Sequence, residues 1–411
     1  MRANAPSVGI DFGTTNTVIA LRGGATDPAR SVLCFAHGHP PAAGAAAIAR
    51  YLEDPLAARL IMSMKSYLGQ RSFTETRIAG RAWTLEGLVA LFLREVLAPH
   101  REALAGARVT VGRPVRFVGE RADHELAERR LRAACAQAGL DDVRLALEPA
   151  AAGQRFAATL HGPATVLVAD FGGGTSDFSV LRFDGAEVRA LGHAGLGLAG
   201  DALDFRIIDH ALSPLLGKGT TYEVMGQPMP VPAGWYLSFA RWHLLSLMRA
   251  PRTLRDIEAV TRTAEHPERL RALLRLIEDE AGYALYQAVA GAKAALSRAE
   301  ATTIDFAHEG TRLQAEVTRA QFESWIAPEL RRIGEAVDAA LRDAGSPAVD
   351  RVFLTGGTSL VPAIRRLFEA RFGAARVAAG GEFTSVAEGL ALMGGATPQT
   401  PMARRGPGPG P

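Results

Sequence analysis

Short apolar runs alternate with amphipathic stretches along most of the chain. The runs at 7–11, 165–169 and 352–355 are brief and continuous, which predicts buried strands. Between such runs apolar residues recur at helical spacing, as at Leu88 and Phe92. Strands that alternate with helices in this way predict an α/β fold in which helices cover the sheets.

The same patterns, with Gly and Pro as boundaries, predict the remaining elements. Further strands are predicted at 17–22, 109–114, 177–183, 186–191, 302–306 and 312–317. Helices are predicted at about 55–67, 85–99, 120–139, from 148, from 201, and at 319–344, 362–371 and 385–394. A helix-rich segment is predicted over 234–299 with breaks near Pro251 and Pro267, residues 213–234 are predicted to form a loop, and the tail 397–411 is predicted to be disordered.

One short sequence, Asp-Phe-Gly, follows two of the predicted strands. The copies begin at Asp11 and Asp170, and each continues into Gly and Thr residues. The glycines favour a tight turn that exposes backbone N–H groups, and the hydroxyls supply further donors. An Asp at the strand end can hold Mg²⁺ through its waters, because this ion gives up water reluctantly. One copy alone is compatible with an ordinary strand–turn–strand, but two copies indicate two similar half-domains facing one polyphosphate.

Two further motifs supply candidate residues. Gly356 and Gly357 lie between a buried strand and a predicted helix, where a flat ring can approach the backbone without meeting a Cβ atom. Together with the two Asp turns they favour a nucleoside site over an ordinary strand–helix turn. Glu148-Pro149 either starts a helix without chemical function or places a carboxylate that orients water or a cation shell.

Two glycine-rich segments match nucleotide-binding patterns only formally. Residues 195–200 have the spacing of a dinucleotide fingerprint, but the preceding strand is weak and the motif lies late in the chain, so a turn closing over phosphates is favoured. Residues 217–220 resemble the end of a P-loop. The required upstream glycine is replaced by Leu212, so this segment is interpreted as a plain loop.

Composition narrows the functional classes. Hydrophobic content of 48% and charged content of 22% are ordinary for a globular protein. Net charge is +3, with arginines interleaved with acids, which indicates a solvated surface rather than a nucleic-acid groove. Two cysteines, no long apolar run and no signal-like N-terminus predict a cytoplasmic protein with no membrane partner. The 46 basic residues include three lysines, Lys65, Lys218 and Lys293, so each lysine is an exception.

Five motifs, in order, resemble the ATPase domain of the DnaK-type heat-shock chaperones, the heat-shock protein 70 kDa family of the actin/hexokinase/sugar-kinase superfamily. They lie at 9–16, 148–152, 170–177, 356–362 and 386–391. The similarity extends over about 7–395. The short form, with its Lys65 motif and an enlarged segment after Gly217, is most similar to the YegD-like group.

The resemblance implies an actin-like ATPase fold, with two lobes that each hold a mixed β-sheet flanked by helices and a nucleotide cleft between them. Lobe I is expected at 1–163 with an inserted helical subdomain at about 37–105. Lobe II is expected at 164–396 with an inserted helical subdomain at about 201–300. The Pro/Gly-rich tail at 397–411 leaves no room for a peptide-binding domain, so none is expected in this chain.

Residue roles follow from the matched motifs. Asp11 and Asp170 match the aspartates that hold hydrated Mg²⁺, Lys65 and Glu148 match the groups that place the attacking water, and Thr175 matches the hydroxyl near the γ-phosphate. The residues implied to bind ATP or ADP are Gly13, Thr14, Thr15, Asn16, Gly172, Gly173, Gly174, Asp177, Gly200, Lys293, Ser297, Gly356, Gly357 and Thr358.

The chain departs from the family at the purine. Where the family uses an acid and two arginines, the matching residues are Ala290, Ala294 and Leu360, and Phe383 stands in place of an Asp. Loss of a guanidinium stacked on the base removes about 0.5–2 kcal/mol of cation–π attraction. We therefore expect weaker binding and lower adenine selectivity, with the phosphate chemistry retained.

Taken together, these motifs predict a Mg-dependent ATP-binding and ATP-hydrolysing protein related to chaperones, with ATP/ADP and Mg²⁺ as ligands. Neither nucleic acid nor a membrane is expected as a partner. Two alternatives share the same cleft: an actin-like filament-forming ATPase and a small-molecule kinase of the same superfamily.

Overall fold

A computed structural model describes residues 6–21, 24–54, 56–117, 121–140, 142–157, 160, 162–185, 187–241, 245, 248–380 and 384–395. The predicted α/β character is confirmed, since two central mixed sheets are each covered by helices. The predicted tail 397–411 and Phe383 lie outside the described residues. Among the described helices, none is long and apolar enough to cross a bilayer.

The first central sheet holds the first Asp-Phe sequence. Its path runs Val143–Leu147, Arg108–Arg113, Ser7–Phe12, Asn16–Leu21 and Gly24–Ala25, and Ala29–Arg30 also pairs with Asn16–Leu21. The strand Ser7–Phe12 is parallel to Arg108–Arg113 and antiparallel to Asn16–Leu21. Its carboxyl end therefore delivers Asp11 to one edge of the sheet.

The second central sheet repeats this arrangement around the second Asp-Phe sequence. Its path runs Glu187–Leu196, Ser176–Asp184, Ala164–Phe171, Arg351–Thr355 and Val377–Ala379. Ala164–Phe171 is antiparallel to the strand that follows it and parallel to Arg351–Thr355. The repeated pattern agrees with the expectation of two similar halves.

Helices bury the faces of both sheets. The described α-helices are Gly44–Glu53, Leu85–Leu97, Arg101–Leu104, His124–Gln137, Glu148–Ala157, Gly200–Ile207, Ala233–Phe239, Pro251–Thr261, Pro267–Glu278, Gly282–Leu296, Arg319–Trp325, Ala327–Asp343, Pro362–Phe372 and Ser385–Gly395. Ile10, Phe92 and Val111 belong to the core of the first sheet, and Phe171 and Leu273 to that of the second. Burial of such side chains stabilises each by about 1.5–3 kcal/mol.

Two helices pack closely where the sheets meet. A Cβ atom on Gly389, in the helix Ser385–Gly395, would lie 1.8 Å from the carbonyl oxygen of Ala151 in the helix Glu148–Ala157. A Cβ atom on Gly9 would lie 2.0 Å from the carbonyl oxygen of Ala387. Glycine at these positions lets backbone approach backbone, so the first sheet and both helices pack as one unit.

Smaller sheets lie outside the two central sheets. The strands Ala42–Ala43, Leu33–Ala36 and Ala58–Ile61 form a three-stranded sheet, and hairpins join Glu75–Ile78 to Arg81–Thr84, Thr221–Val224 to Gln227–Pro230, and Ala301–His308 to Thr311–Thr318. The segments 37–105 and 201–300, expected as helical insertions, therefore hold strands as well as helices.

The helix predicted over 55–67 is wrong. The strand Ala58–Ile61 pairs antiparallel with Leu33–Ala36, and a 3₁₀ turn spans Met64–Tyr67. Ala58 and Leu60 pack into one cluster whereas Ile61 packs into another, so the strand buries both faces with a period of two. A run rich in Ala and Leu is typical of a helix, and in so short a strand the period of two is hard to recognise.

Other predicted elements differ from the observed ones because of local capping, proline and turn residues. The helix predicted from 120 begins at His124, because the Asp123 carboxylate accepts the N–H of Leu126 and caps it. The predicted helix 319–344 is two helices, the second of which carries Pro328 in its first turn. The predicted loop 213–234 instead contains a 3₁₀ turn, Ser213–Leu216, and a hairpin, since Met225 and Gly226 adopt positive φ in its turn.

Candidate functional site

A cavity of about 280 Å³ opens between the carboxyl ends of the two central sheets. Among the predicted site residues, it is lined by Asp11, Gly13, Thr14, Thr15, Asn16, Lys65, Glu148, Asp170, Gly172, Gly173, Thr175, Asp177, Gly200, Lys293, Gly356, Gly357 and Thr358. Gly174 and Ser297 do not line it. The Ser297 hydroxyl instead donates to the carbonyl oxygen of Lys293 at 3.5 Å.

The two Asp-Phe-Gly turns close by equivalent hydrogen bonds. In the first turn the N–H of Gly13 donates to the carbonyl of Asn16 at 3.0 Å, and in the second the N–H of Gly172 donates to the carbonyl of Thr175 at 2.9 Å. The turns also touch across the cavity, since a Cβ atom on Gly173 would lie 1.7 Å from Oγ1 of Thr15. Hydroxyls and backbone N–H groups from both sheets therefore surround one space, as a polyphosphate requires.

Lys65 and Glu148 form a buried ion pair on the wall of the cavity. Lys65 lies in the 3₁₀ turn Met64–Tyr67 and Glu148 starts the helix Glu148–Ala157, and their side-chain atoms approach to 2.6 Å. Burial opposes the charged ammonium, but the charges of Glu148 and Asp11 outweigh it and raise the pKa of Lys65 above its ordinary value. The pair holds two hydrogen-bonding groups in fixed positions beside the Asp turns.

Three carboxyl groups share the floor of the cavity. Burial, followed by the negative charge of Glu148, raises the pKa of Asp11 to about 8 and those of Asp170 and Asp177 to about 7. A cation bound beside these carboxyl groups would lower their pKa values, because its positive charge favours the ionised form. Hard oxygen donors are what Mg²⁺ prefers, so Asp11 and Asp170 fit this ion chemically.

The carboxyl groups of the cavity suit indirect coordination of Mg²⁺, through the waters of the ion. Within the described part of the chain, no three or more His, Cys, Asp or Glu groups come close enough together to hold a metal ion by themselves. Mg²⁺ here would keep most of its waters and take further oxygens from phosphate, as this ion commonly does.

A third turn and a helix form a further part of the cavity wall. Gly356 has a φ of +83°, and a Cβ atom there would lie 2.0 Å from the carbonyl oxygen of Phe171. The Thr358 hydroxyl donates to the carbonyl of Gly172 at 3.1 Å, which ties this turn to the second Asp turn. Lys293 donates to the Asp204 carboxylate at 2.8 Å and to the carbonyl of Gly200 at 3.1 Å.

The residues that depart from the family at the purine lie on this helix and this turn. Ala290 lines the cavity, Ala294 is exposed on the same helix, and Leu360 is 43% exposed in the third turn. None of the three side chains carries a hydrogen-bonding or charged group. At these three positions the wall therefore offers no polar group that could read the edge of a base.

Sequence reasoning missed several lining residues. Arg30, Asp201, Asp204 and Ser385 also face the cavity. Asp201 directly follows Gly200 at the start of the helix Gly200–Ile207, so this Gly-Asp pair was a usable signal for Asp201. Arg30 gave none, because arginine is the common basic residue of this chain.

The two formal motifs differ in their place relative to the cavity, since Gly200, at the end of the first motif, lines it. Gly195 lies in the strand Glu187–Leu196, outside the cavity lining. The segment 217–220 is a turn in which Gly217 adopts a φ of +98°. The Lys218 ammonium lies 2.5 Å from the Asp209 carboxylate, an ion pair that does not belong to the cavity lining. The interpretation of 217–220 as a plain loop is confirmed.

One protein-family model and several curated proteins match this chain. A family model described as Hsp70 protein matches residues 77–222 and 275–400, more than half of the chain. The chain is 28% identical over 405 residues to a chaperone protein HscA homolog of Bordetella petrii, covering 89% of this chain and 54% of that protein. It is also 28% identical over 402 residues to chaperone protein DnaK of Thermus thermophilus, covering 88% and 56% respectively. The chain thus spans about half the length of the curated relatives it matches.

Proposed function

Because this chain belongs to the Hsp70 family, we propose that it binds ATP with Mg²⁺ in the cavity between its two central sheets and hydrolyses it. Membership confirms the resemblance expected from the five motifs, and with it the actin-like ATPase fold. The narrower similarity to the YegD-like group stays a prediction.

One observation carries the proposal. The buried Lys65–Glu148 pair lies against the same cavity as both Asp turns, although the three parts are far apart in sequence. A buried ion pair is costly to assemble for stability alone, since the desolvation of two charges offsets much of their attraction. Its place beside hydroxyl-rich turns is best explained by a reaction that needs a held water and a neutralised phosphate.

The residues divide the work of phosphoryl transfer. Thr14, Thr15 and Thr175 offer hydroxyls to the phosphates, together with the N–H groups of the two turns. Lys65 and Glu148 hold a water for in-line attack on the γ-phosphorus, so that the new water O–P bond forms as the bond to the β,γ-bridging oxygen breaks. Bound Mg²⁺, placed by Asp11 and Asp170, would neutralise charge on the phosphates. Most of the catalysis would then come from positioning and charge.

The same proposal divides the chain into two lobes. Lobe I would comprise 1–163 and lobe II 164–396, so that the cleft lies between them and hydrolysis alters the angle at which they close. The described contacts agree with such a hinge, since the packed helices Glu148–Ala157 and Ser385–Gly395 lie where the two sheets meet. The relatives are named as chaperone proteins, and we propose a chaperone-related role on that basis.

Calorimetric titration tests the binding step. Purified protein is titrated with ATP, ADP and GTP, each with and without Mg²⁺, and ATP is expected to bind more tightly when Mg²⁺ is present. Binding of none of the three nucleotides would overturn the proposal.

Phosphate release tests the chemical step. Release without any added acceptor is expected, and it also argues against a small-molecule kinase. An Asp170→Asn variant should lose hydrolysis by about 10²-fold or more, the scale of removing one electrostatic contribution to the transition state. Hydrolysis by this variant at the parent rate would contradict the role of Asp170 at the metal.

A further inference from the structure

The backbone holds Arg30 next to the first Asp turn. Arg30 lies in the strand Ala29–Arg30, where its Cα pairs antiparallel with that of Asn16, and the N–H of the following Ser31 donates to the carbonyl of Thr15 at 2.9 Å. The carbonyl of Asn16 also accepts the hydrogen bond that closes the turn. Strand pairing and one further hydrogen bond therefore fix Arg30 beside the last two residues of this turn.

The register of this pairing also sets the face on which the Arg30 side chain lies. Residues directly opposite one another in an antiparallel pair project to the same face of the sheet, with their Cβ atoms about 5 Å apart. Asn16 lines the cavity, and so does Arg30, which is half-buried. Thr14 and Thr15, to which the proposed function assigns the phosphates, line it as well. Arg30 thus shares one wall of the cavity with the hydroxyls of the first turn.

The guanidinium of Arg30 has no protein acceptor among the residues that the structure describes, in either an ion pair or a hydrogen bond. The other two cations that line the cavity differ, since Lys65 is paired with Glu148 and Lys293 with Asp204. A half-buried cation without a partner loses hydration and gains nothing in exchange, which favours a role in contacting a ligand.

The charges of the cavity wall indicate which kind of ligand Arg30 meets. Acidic side chains outnumber basic ones in the described lining, which holds Asp11, Glu148, Asp170, Asp177, Asp201 and Asp204 against Arg30, Lys65 and Lys293. A polyphosphate adds further negative charge, which Mg²⁺ and cationic side chains must neutralise. Because the two lysines are already paired, Arg30 is the cation of the described lining whose charge is available for phosphates.

We propose that Arg30 binds the phosphate chain of the nucleotide, with the N–H groups of its guanidinium donating to phosphate oxygens from the side of the first sheet. The planar guanidinium presents its donors as a fork that matches two phosphate oxygens at once. This inference rests on the proposed function and deepens it, because it assigns the phosphates a side-chain cation in addition to the hydroxyls and N–H groups of the two turns.

The test compares ATP with inorganic tripolyphosphate, which has no base, as calorimetric ligands in the presence of Mg²⁺. Arg30→Ala is expected to weaken the binding of both ligands by a similar factor, roughly 10- to 100-fold, the scale of hydrogen bonds to a charged group. Arg30→Lys keeps the charge without the fork and should recover part of this loss for both ligands. Arg252→Ala, which removes a side chain that is 91% exposed, is the matched control and should bind both as the parent does.

Three results would overturn the inference while leaving the proposed function in place. ATP affinity unchanged by Arg30→Ala would show that the side chain makes no contact. Weaker binding of ATP with tripolyphosphate bound as in the parent would assign Arg30 to the nucleoside. A parent that binds ATP but not tripolyphosphate would show that the phosphates alone are not recognised.

A parent that binds no nucleotide would instead overturn the proposed function itself, so the two failures are distinguishable. Should Arg30→Ala fold poorly by circular dichroism, Arg30→Gln keeps a polar side chain without the charge and is expected to weaken both ligands in the same way.

Discussion

The Nζ atom of Lys65 lies 2.6 Å from Oε1 of Glu148, although 83 positions separate the two residues in sequence. Both side chains are buried, and the pair joins a 3₁₀ turn to the first residue of a helix. A Cβ atom on Gly112 would lie 2.8 Å from Cγ of Glu148, so the adjacent strand leaves room for this carboxylate. The geometry of the pair is therefore set from three directions, as a group that orients a water requires.

Substitution of this pair should separate binding from chemistry. Glu148→Gln keeps the shape of the side chain but removes the charge that holds Lys65, so we expect ATP hydrolysis to fall by about 10²-fold or more. ATP affinity should change much less, because neither group belongs to the Thr- and Gly-rich turns. Single-turnover hydrolysis and calorimetric titration measure the two effects.

Lys65→Ala should give the same separation, and Lys218→Ala is its matched control. Lys218 pairs with Asp209 outside the cavity lining, so its loss should leave hydrolysis near the parent value. Parent-like hydrolysis in both Glu148→Gln and Lys65→Ala would remove the pair from the mechanism.

The contact between the two Asp turns gives a second prediction. In Gly173→Ala the new methyl group would meet Oγ1 of Thr15 at 1.7 Å, so the turns must separate and their donors can no longer converge. We expect ATP affinity to fall by at least about tenfold, equivalent to about 1.4 kcal/mol. Gly197→Ala is the control, since a Cβ atom there meets nothing within 4 Å. Equal affinity of the two variants would show that close approach of the turns is not needed.

The parts of the site that sequence reasoning identified share one property, namely that local sequence determines them. Asp11 and Asp170 follow strands whose apolar runs are unmistakable, and the glycines after them permit few backbone courses. Lys65 and Glu148 were found through motifs, and the resemblance alone implied that they act together.

Arg30 and Asp204 were missed because their roles depend on contacts made at long range. Arg30 faces the cavity through the pairing of a two-residue strand, and Asp204 matters because Lys293, 89 residues away, reaches it. The strand Ala58–Ile61 was mistaken for a helix for the same reason, since its pairing with Leu33–Ala36 is what overrides its helical composition.

Arg130 provides a third prediction, on stability. Its buried guanidinium, in the helix His124–Gln137, donates to the carbonyls of Leu68, Gln70 and Phe73 at 3.2, 3.0 and 2.6 Å. Arg130→Met removes these bonds and leaves the carbonyls without their donor, so we expect a loss of about 2–4 kcal/mol in the free energy of unfolding. Hydrolysis should also fall, because this segment directly follows Lys65.

Denaturant titration measures the change, and Arg129→Met is the matched control. Arg129 is the preceding residue of the same helix, with a side chain that is 63% exposed, so its substitution should shift stability by less than about 0.5 kcal/mol. Similar midpoints for the two variants would contradict the anchoring role of Arg130.

His193 gives the last prediction, on pH dependence. Its Nδ1 lies 3.3 Å from the Ser179 hydroxyl. Burial disfavours the imidazolium, and the nearby positive charge of Arg116 adds to this effect. Together they lower the His193 pKa from 6.5 to about 4, against opposing contributions that include Asp343.

The sign of the effect follows from proton binding. Between pH 4 and 6.5 the unfolded chain binds a proton at His193 that the folded chain does not, so this group reduces stability as pH falls through that window. Above pH 6.5 neither state binds the proton, and the contribution is constant.

His193→Asn keeps a polar atom near Ser179 and abolishes the titration. The stability of the parent relative to this variant should therefore decline between pH 6.5 and 4, as measured by denaturant unfolding at a series of pH values without nucleotide. His39→Asn, at an exposed histidine, should keep the pH dependence of the parent. If His193→Asn and the parent lost stability in parallel over this range, the burial of a neutral His193 would not contribute to the acid sensitivity of the fold.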